Sequence, residues 1–171
     1  MKKVAVFGNA GAGKSTTSRR LAEITGLPLY VLDTIKFLPG GLETPHEEYL
    51  ASHSHILARD SWVIDGFGCL KSTWERLAEA DTLVYLDLPI AVHFLWVSKR
   101  FLKGLFSPPE GWPENTPLLK STWNSYKVLW LCHQKLTPAY RKLVMEARAS
   151  KQVHHLRSKA EILNFLSSIK R

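Results

Sequence analysis

The chain has 171 residues, 45% hydrophobic and 22% charged, enough for one sizeable core and too few for two comfortable domains. That balance excludes a disordered or fibrous chain, and Lys99 and Arg100 close the longest apolar stretch before it reaches membrane-spanning length. A net charge of +8 favours anionic ligands, but Lys and Arg are scattered, so nucleic acid is not favoured over a nucleotide. Cys69 and Cys132 stand in no metal-ligand spacing, and the first residues lead directly into an apolar run. The expectation is a reduced, cytoplasmic protein without signal peptide or membrane partner, a monomer or homodimer.

Residues 3–7 form a short apolar, β-branched run that predicts a buried strand. Gly8-Asn9-Ala10-Gly11-Ala12-Gly13-Lys14-Ser15 follows and fits G-x-x-x-x-G-K-[ST]. Residues 15–25 then predict a helix with Leu21 and Ile24 on one face. Strand, glycine loop and helix together are the setting in which this motif binds phosphate. Backbone N–H groups at a helix start carry partial positive charge, and glycines let the main chain wrap the anion. Residues Gly8 through Thr16 therefore form the expected nucleotide cradle, with Lys14 placed for the β- and γ-phosphates and Ser15 for Mg²⁺. Without Lys14 and Ser15 in these two places, the same glycines would be an ordinary turn.

Further strands are predicted at residues 29–32, 62–64, 82–86 and 152–156, separated by helical patterns. Thr44-Pro45-His46-Glu47 reads as a capping box opening a helix whose apolar face is Tyr49, His53, Ile56 and Leu57. Ser72 to Glu75 and Ser158 to Glu161 read as two more, the last helix burying Ile162, Leu166 and Ile169. The connection from Pro89 to Ser150 is too long for a simple crossover. It predicts a helix with Ile90, Phe94, Val97 and Phe101 on one face, then an irregular Pro/Gly-rich segment from Gly104 to Pro117. A helix with Leu119, Trp123, Tyr126 and Trp130 on one face follows, a spacing that favours core packing over stacking on a base, and Thr137-Pro138 opens a third. A long insertion of this kind is often a lid.

In open parallel sheets, ligands sit beyond the carboxyl ends of the strands. Asp33, Asp65 and Asp87 fall there. Asp65 is expected to hold Mg²⁺ opposite Ser15, the alternative being a loop cap. Asp33 either orients or deprotonates an acceptor hydroxyl, or is a turn residue; Asp87 reads as a helix start. Phosphoryl transfer needs cations around the migrating group. Arg100, one turn from Lys103, and Arg141 are the first candidates, with Lys36 and Lys71 on the acceptor side. His154 and His155 end the last strand, either packed or against a base.

Residues 8–15, Ser61-Trp62-Val63-Ile64-Asp65-Gly66-Phe67 and Leu83-Val84-Tyr85-Leu86-Asp87-Leu88-Pro89 resemble the nucleoside-monophosphate-kinase branch of P-loop proteins. Over essentially the whole chain the resemblance is to small bacterial adenylate-kinase-like, or "DNA topology modulation", proteins. It implies one three-layer α/β P-loop kinase domain over residues 1–171, with a five-stranded parallel sheet in order 2-3-1-4-5. It also implies an acceptor-side flap at about 34–60 and a lid at about 100–120. The implied activity is transfer of the γ-phosphoryl group of Mg·ATP to a small-molecule acceptor. Two other readings accompany it: a nucleotide-dependent regulator or DNA binder, and a shikimate- or sugar-type kinase. Adenylate kinases carry Asp-Gly-Phe-Pro-Arg, whereas here Asp65-Gly66-Phe67 continues as Gly68-Cys69, and the next arginine is Arg76. The acceptor is therefore left open.

Overall fold

A computed structural model describes residues 1–38, 42–104 and 118–169, without the side chains of 100, 103–104 and 118–122. Five strands, β1 (Lys3–Gly8), β2 (Leu29–Val31), β3 (Trp62–Asp65), β4 (Thr82–Leu86) and β5 (Gln152–Leu156), pair in parallel in the order 2-3-1-4-5. The central β1 lies between β3, with Val4 opposite Val63, and β4, with Phe7 opposite Tyr85. β1, β3 and β4 are buried on both faces, so their apolar runs are continuous rather than alternating.

Each face of the sheet carries its own core. Val4, Val6, Val63 and Val84 face α1 (Lys14–Thr25) and α7 (Lys159–Ile169), where Leu21, Ile162, Phe165 and Leu166 complete one cluster. Ala5, Phe7, Ile64 and Tyr85 face α3 (His46–Leu57), α4 (Leu70–Glu79) and the far half of α6 (Leu118–Ala147), through Ile56, Leu77, Tyr140 and Val144. Short α2 (Leu32–Lys36) follows β2, and α5 (Ile90–Gly104) follows β4.

Local capping departs from expectation at three helices. Thr44 Oγ1 donates to the Ile35 carbonyl (2.9 Å) and so ties down the preceding loop instead of capping α3. α4 begins earlier than Ser72: Cys69 is its cap, accepting from the Ser72 amide while the Ser72 hydroxyl accepts from the Cys69 amide. Before α7 the Ser158 hydroxyl accepts from the Glu161 amide and donates to the Glu161 carboxylate, which also accepts from the Arg157 amide, one residue earlier than a capping box places it.

The larger correction is α6. It runs unbroken for 30 residues with Pro138 inside it, where a second and a third helix were expected. An interior proline costs about 3 kcal/mol through its missing N–H and its ring clash. Here Tyr140 and Val144, 3% and 1% exposed, anchor the helix beyond the proline. The inward stripe is Leu129, Tyr140 and Val144, whereas Trp123 and Trp130 are 62% and 51% exposed, so the predicted aromatic face is not a core face. Residues 105–117, which include most of the expected irregular segment, lie outside the described residues. Among the described residues no helix is long and apolar enough to cross a membrane.

His53 is enclosed between α3 and α4, its side chain 0% exposed. Burial, and secondarily Arg76, push its pKa from 6.5 down to about 4. Glu75 Oε2, 3.6 Å from Nδ1, is too distant and too exposed to reverse this. The unfolded chain therefore takes up a proton that the folded chain refuses, and stability falls as pH drops from 6.5 towards 4. The slope from this group is at most ~1.4 kcal/mol per pH unit. Thermal melts from pH 7 to 4 should show a shallower acid loss in His53→Leu than in the parent, and identical slopes would remove His53 as the cause.

Candidate active site

The carboxyl ends of β1, β2 and β3 open onto a cleft of about 480 Å³ lined by Gly8 through Thr16, Asp33, Asp65, Gly66 and Phe67. Its outer wall is made by Trp96 of α5 and by Val128, Cys132, Leu136, Thr137 and Tyr140 of α6.

The phosphate loop owes its shape to its neighbours. Gly13 caps α1 in the left-handed conformation (φ 79°), and a Cβ there would stand 2.9 Å from the Trp96 ring, so only glycine is accommodated. The Asn9 side chain holds the loop to the outer wall, its amide donating to the Leu129 carbonyl at 3.0 Å and its Oδ1 accepting from the Ala10 amide at 2.7 Å. Lys14 Nζ donates to the Asn9 carbonyl at 2.8 Å. Burial pushes the Lys14 ammonium below the usual lysine range, while the carboxylates of Asp65 and Asp33 pull it back up. Ser15 and Thr16 are exposed at the helix start.

Asp65 ends β3 and is 1% exposed; its Oδ1 has no hydrogen-bond partner among the described residues. A buried, unpartnered carboxylate oxygen is costly unless a ligand, ion or water completes it. With the Ser15 hydroxyl in the same cleft, the donor set is two hard oxygens. That fits Mg²⁺, which takes one or two protein oxygens and keeps several waters.

Asp33 lies in the first turn of α2, directly after β2. The residue is exposed overall, but its carboxyl faces the cleft. Desolvation there pushes its pKa above the usual carboxylate range, Lys14 opposes the shift and Asp65 adds to it. Gly66 makes room for it: its φ is 107°, and a Cβ would come within 3.1 Å of Leu32 Cβ and 3.4 Å of Asp33 Oδ1.

Lys14, Ser15, Asp33 and Asp65 thus converge on one cleft. Arg141, Asp87 and His155 meet one another instead. Arg141 forms a two-pronged pair with Asp87 (Nε to Oδ2 2.8 Å; a second nitrogen to Oδ1 3.0 Å), and His155 Nε2 lies 2.8 Å from the same Oδ2. Burial alone would raise the Asp87 carboxyl, but these two hydrogen bonds hold it below its ordinary range. Asp87 is therefore the centre of an ion cluster joining β4, β5 and α6, not a helix start. His154 packs against Phe165, with centroids 4.4 Å apart. Arg100 lies on α5, and its side chain and that of Lys103 are outside the described residues.

Sequence reasoning missed the outer wall. Cys132, Leu136 and Tyr140 recur at helical spacing, a stripe legible only if the helix is taken through Pro138. It also missed Arg76, which is 1% exposed and donates to the carbonyls of Gly66 (2.6 Å) and Phe67 (3.2 Å).

No protein-family model and no curated protein matches this chain. Solved structures resemble it in fold. The shikimate kinase from Acinetobacter baumannii, in complex with shikimate, matches with a TM-score of 0.63 at 18% identity, over 99% of this chain and 90% of that one. The shikimate kinase from Bacteroides thetaiotaomicron matches with a TM-score of 0.57 at 15% identity, over 98% and 95%. The strand order, the phosphate loop and these likenesses define a chain with the P-loop kinase fold.

Proposed function

We propose that this protein is an ATP-dependent small-molecule kinase. The observation that carries the reading is the convergence of Lys14, Asp33 and Asp65 on one cleft floored by the phosphate loop. The triphosphate lies along Gly8 to Thr16, with Lys14 against the β- and γ-phosphates. Asp33, its basicity raised by desolvation, accepts the proton of the acceptor hydroxyl. The acceptor oxygen bonds to the γ-phosphorus as the bond to ADP breaks, and the proton passes from Asp33 to solvent. Ser15 and Asp65 hold Mg²⁺, which when bound offsets phosphate charge. In this reading residues of about 34–60 serve as acceptor flap and about 100–120 as lid, with Arg100 as its cation; the protein works in the cytoplasm as a monomer or homodimer.

Asp65→Asn tests the metal assignment. The variant should need about tenfold or more extra Mg²⁺ both for ATP-induced thermal stabilisation and for ADP release. Unchanged Mg²⁺ dependence in both would remove Asp65 as a ligand.

The +8 charge motivates a second reading, a nucleotide-dependent regulator or DNA binder. It requires duplex affinity that falls steeply with salt and responds to ATP. No duplex binding at low salt would eliminate it.

A further inference from the structure

The turn after β3 is held from outside its own backbone. Its successive carbonyls, those of Gly66, Phe67 and Gly68, each accept from a side chain of another element. Arg76 of α4 spans the first two, one terminal nitrogen donating to Gly66 at 2.6 Å and the other to Phe67 at 3.2 Å. Thr73 of the same helix adds its hydroxyl to the Phe67 carbonyl at 2.9 Å, and Lys36 of α2 reaches the Gly68 carbonyl at 2.9 Å. Arg76 is thus the donor that sets the Gly66 carbonyl. A planar guanidinium can bridge two adjacent carbonyls in one fixed geometry, and a point-like ammonium cannot.

This turn adjoins both acids of the cleft. Asp65 immediately precedes it in the chain. The Gly66 backbone lies against the other acid, since a Cβ there would come within 3.1 Å of Leu32 Cβ and 3.4 Å of Asp33 Oδ1. A displacement of Gly66 therefore shifts the Asp65 carboxylate and changes the space beside the Asp33 carboxyl. The Arg76 charge is felt at the same place, acting on Lys14 and on Asp33 and acted on by Asp65.

An arginine is a costly way to fill this position. Arg76 is buried, burial pushes its guanidinium below the usual arginine range, and its Nε has no hydrogen-bond partner among the described residues. Burying a cation costs several kcal/mol unless its surroundings compensate. What the chain gains from it is the fork on the turn.

Resting on the kinase reading above, we infer that Arg76 is a positioning residue for phosphoryl transfer: its fork fixes the Gly66–Phe67 turn, and through that turn the placement of Asp33 relative to Asp65.

Arg76→Lys keeps the charge and breaks the fork. ADP release from Mg·ATP is followed with nucleosides, nucleoside monophosphates and shikimate as acceptors. With the best of these, kcat should fall by about tenfold or more, because ångström-scale misplacement of a reacting group is felt at that level. KM for ATP should stay within about twofold of the parent value, since the phosphate loop is untouched. In the double variant with Asp33→Asn, the combined loss should fall about threefold or more short of the product of the two single losses, as it does for groups acting as a unit. A folded Arg76→Lys with parent kcat, or losses that simply multiply, would overturn the inference and leave the kinase reading intact. If Arg76→Lys does not fold, Arg76→Gln, which keeps a neutral donor for the Gly66 carbonyl, takes its place; a chain that folds in neither variant makes Arg76 a support of the fold alone and also overturns the inference. Parent ADP release that no acceptor raises above the level of Lys14→Ala would overturn the kinase reading, and the inference with it.

Discussion

Lys14→Ala should lower ATP-dependent turnover by about 10²–10³-fold, the usual cost of removing one preorganised donor from a site of developing charge. The protein should remain folded, because the lysine makes one hydrogen bond, to the Asn9 carbonyl, and its ammonium is held against a desolvation penalty. A melting temperature near that of the parent, together with loss of ATP-induced stabilisation, is the expected pair of results. Lys14→Arg should rescue little, since a planar fork cannot replace a compact ammonium in a cradle shaped by Asn9 and Gly13. Parent-level turnover in Lys14→Ala would end the proposed mechanism.

Asp33→Asn should leave ATP binding intact and reduce transfer by about 10²–10⁴-fold, the range typical of a positioned general base. The pH profile separates this role from simple positioning. A base works when deprotonated, and desolvation raises the Asp33 pKa. Parent activity should therefore rise with pH through a value above the ordinary carboxylate range, and the residual activity of the variant should lack that limb. A variant that keeps the limb would transfer the role of base to another group.

Much of the sheet was legible because its strands are buried on both faces and advertise themselves as uninterrupted apolar runs between polar segments. The phosphate loop was legible because its chemistry is set by residues adjacent in sequence. Asp33 and Asp65 could be placed at the cleft because strand ends in a parallel sheet face one way. The outer wall was not legible, since a proline inside α6 reads as a helix boundary, and only tertiary packing by Tyr140 and Val144 overrides it. The same limit misled the reading of Arg141: its partner Asp87 is 54 positions away, and no local pattern reveals that it is taken. Arg76 escaped for the opposite reason, looking like a surface residue of an amphipathic helix while supporting the Gly66–Phe67 backbone from within.

The two attachments of α6 make it a beam rather than a flap. Its Leu129 carbonyl is pinned to the phosphate loop through Asn9, and its Arg141 to the end of β4 through Asp87. The stretch from Leu129 to Arg141 spans ~18 Å of helix, and it carries Cys132, Leu136, Thr137 and Tyr140 of the outer wall. The two attachments flank Pro138 and hold the helix on either side of its missing backbone donor. The gap between phosphate loop and outer wall is thus set by two polar attachments, one near each end of that stretch.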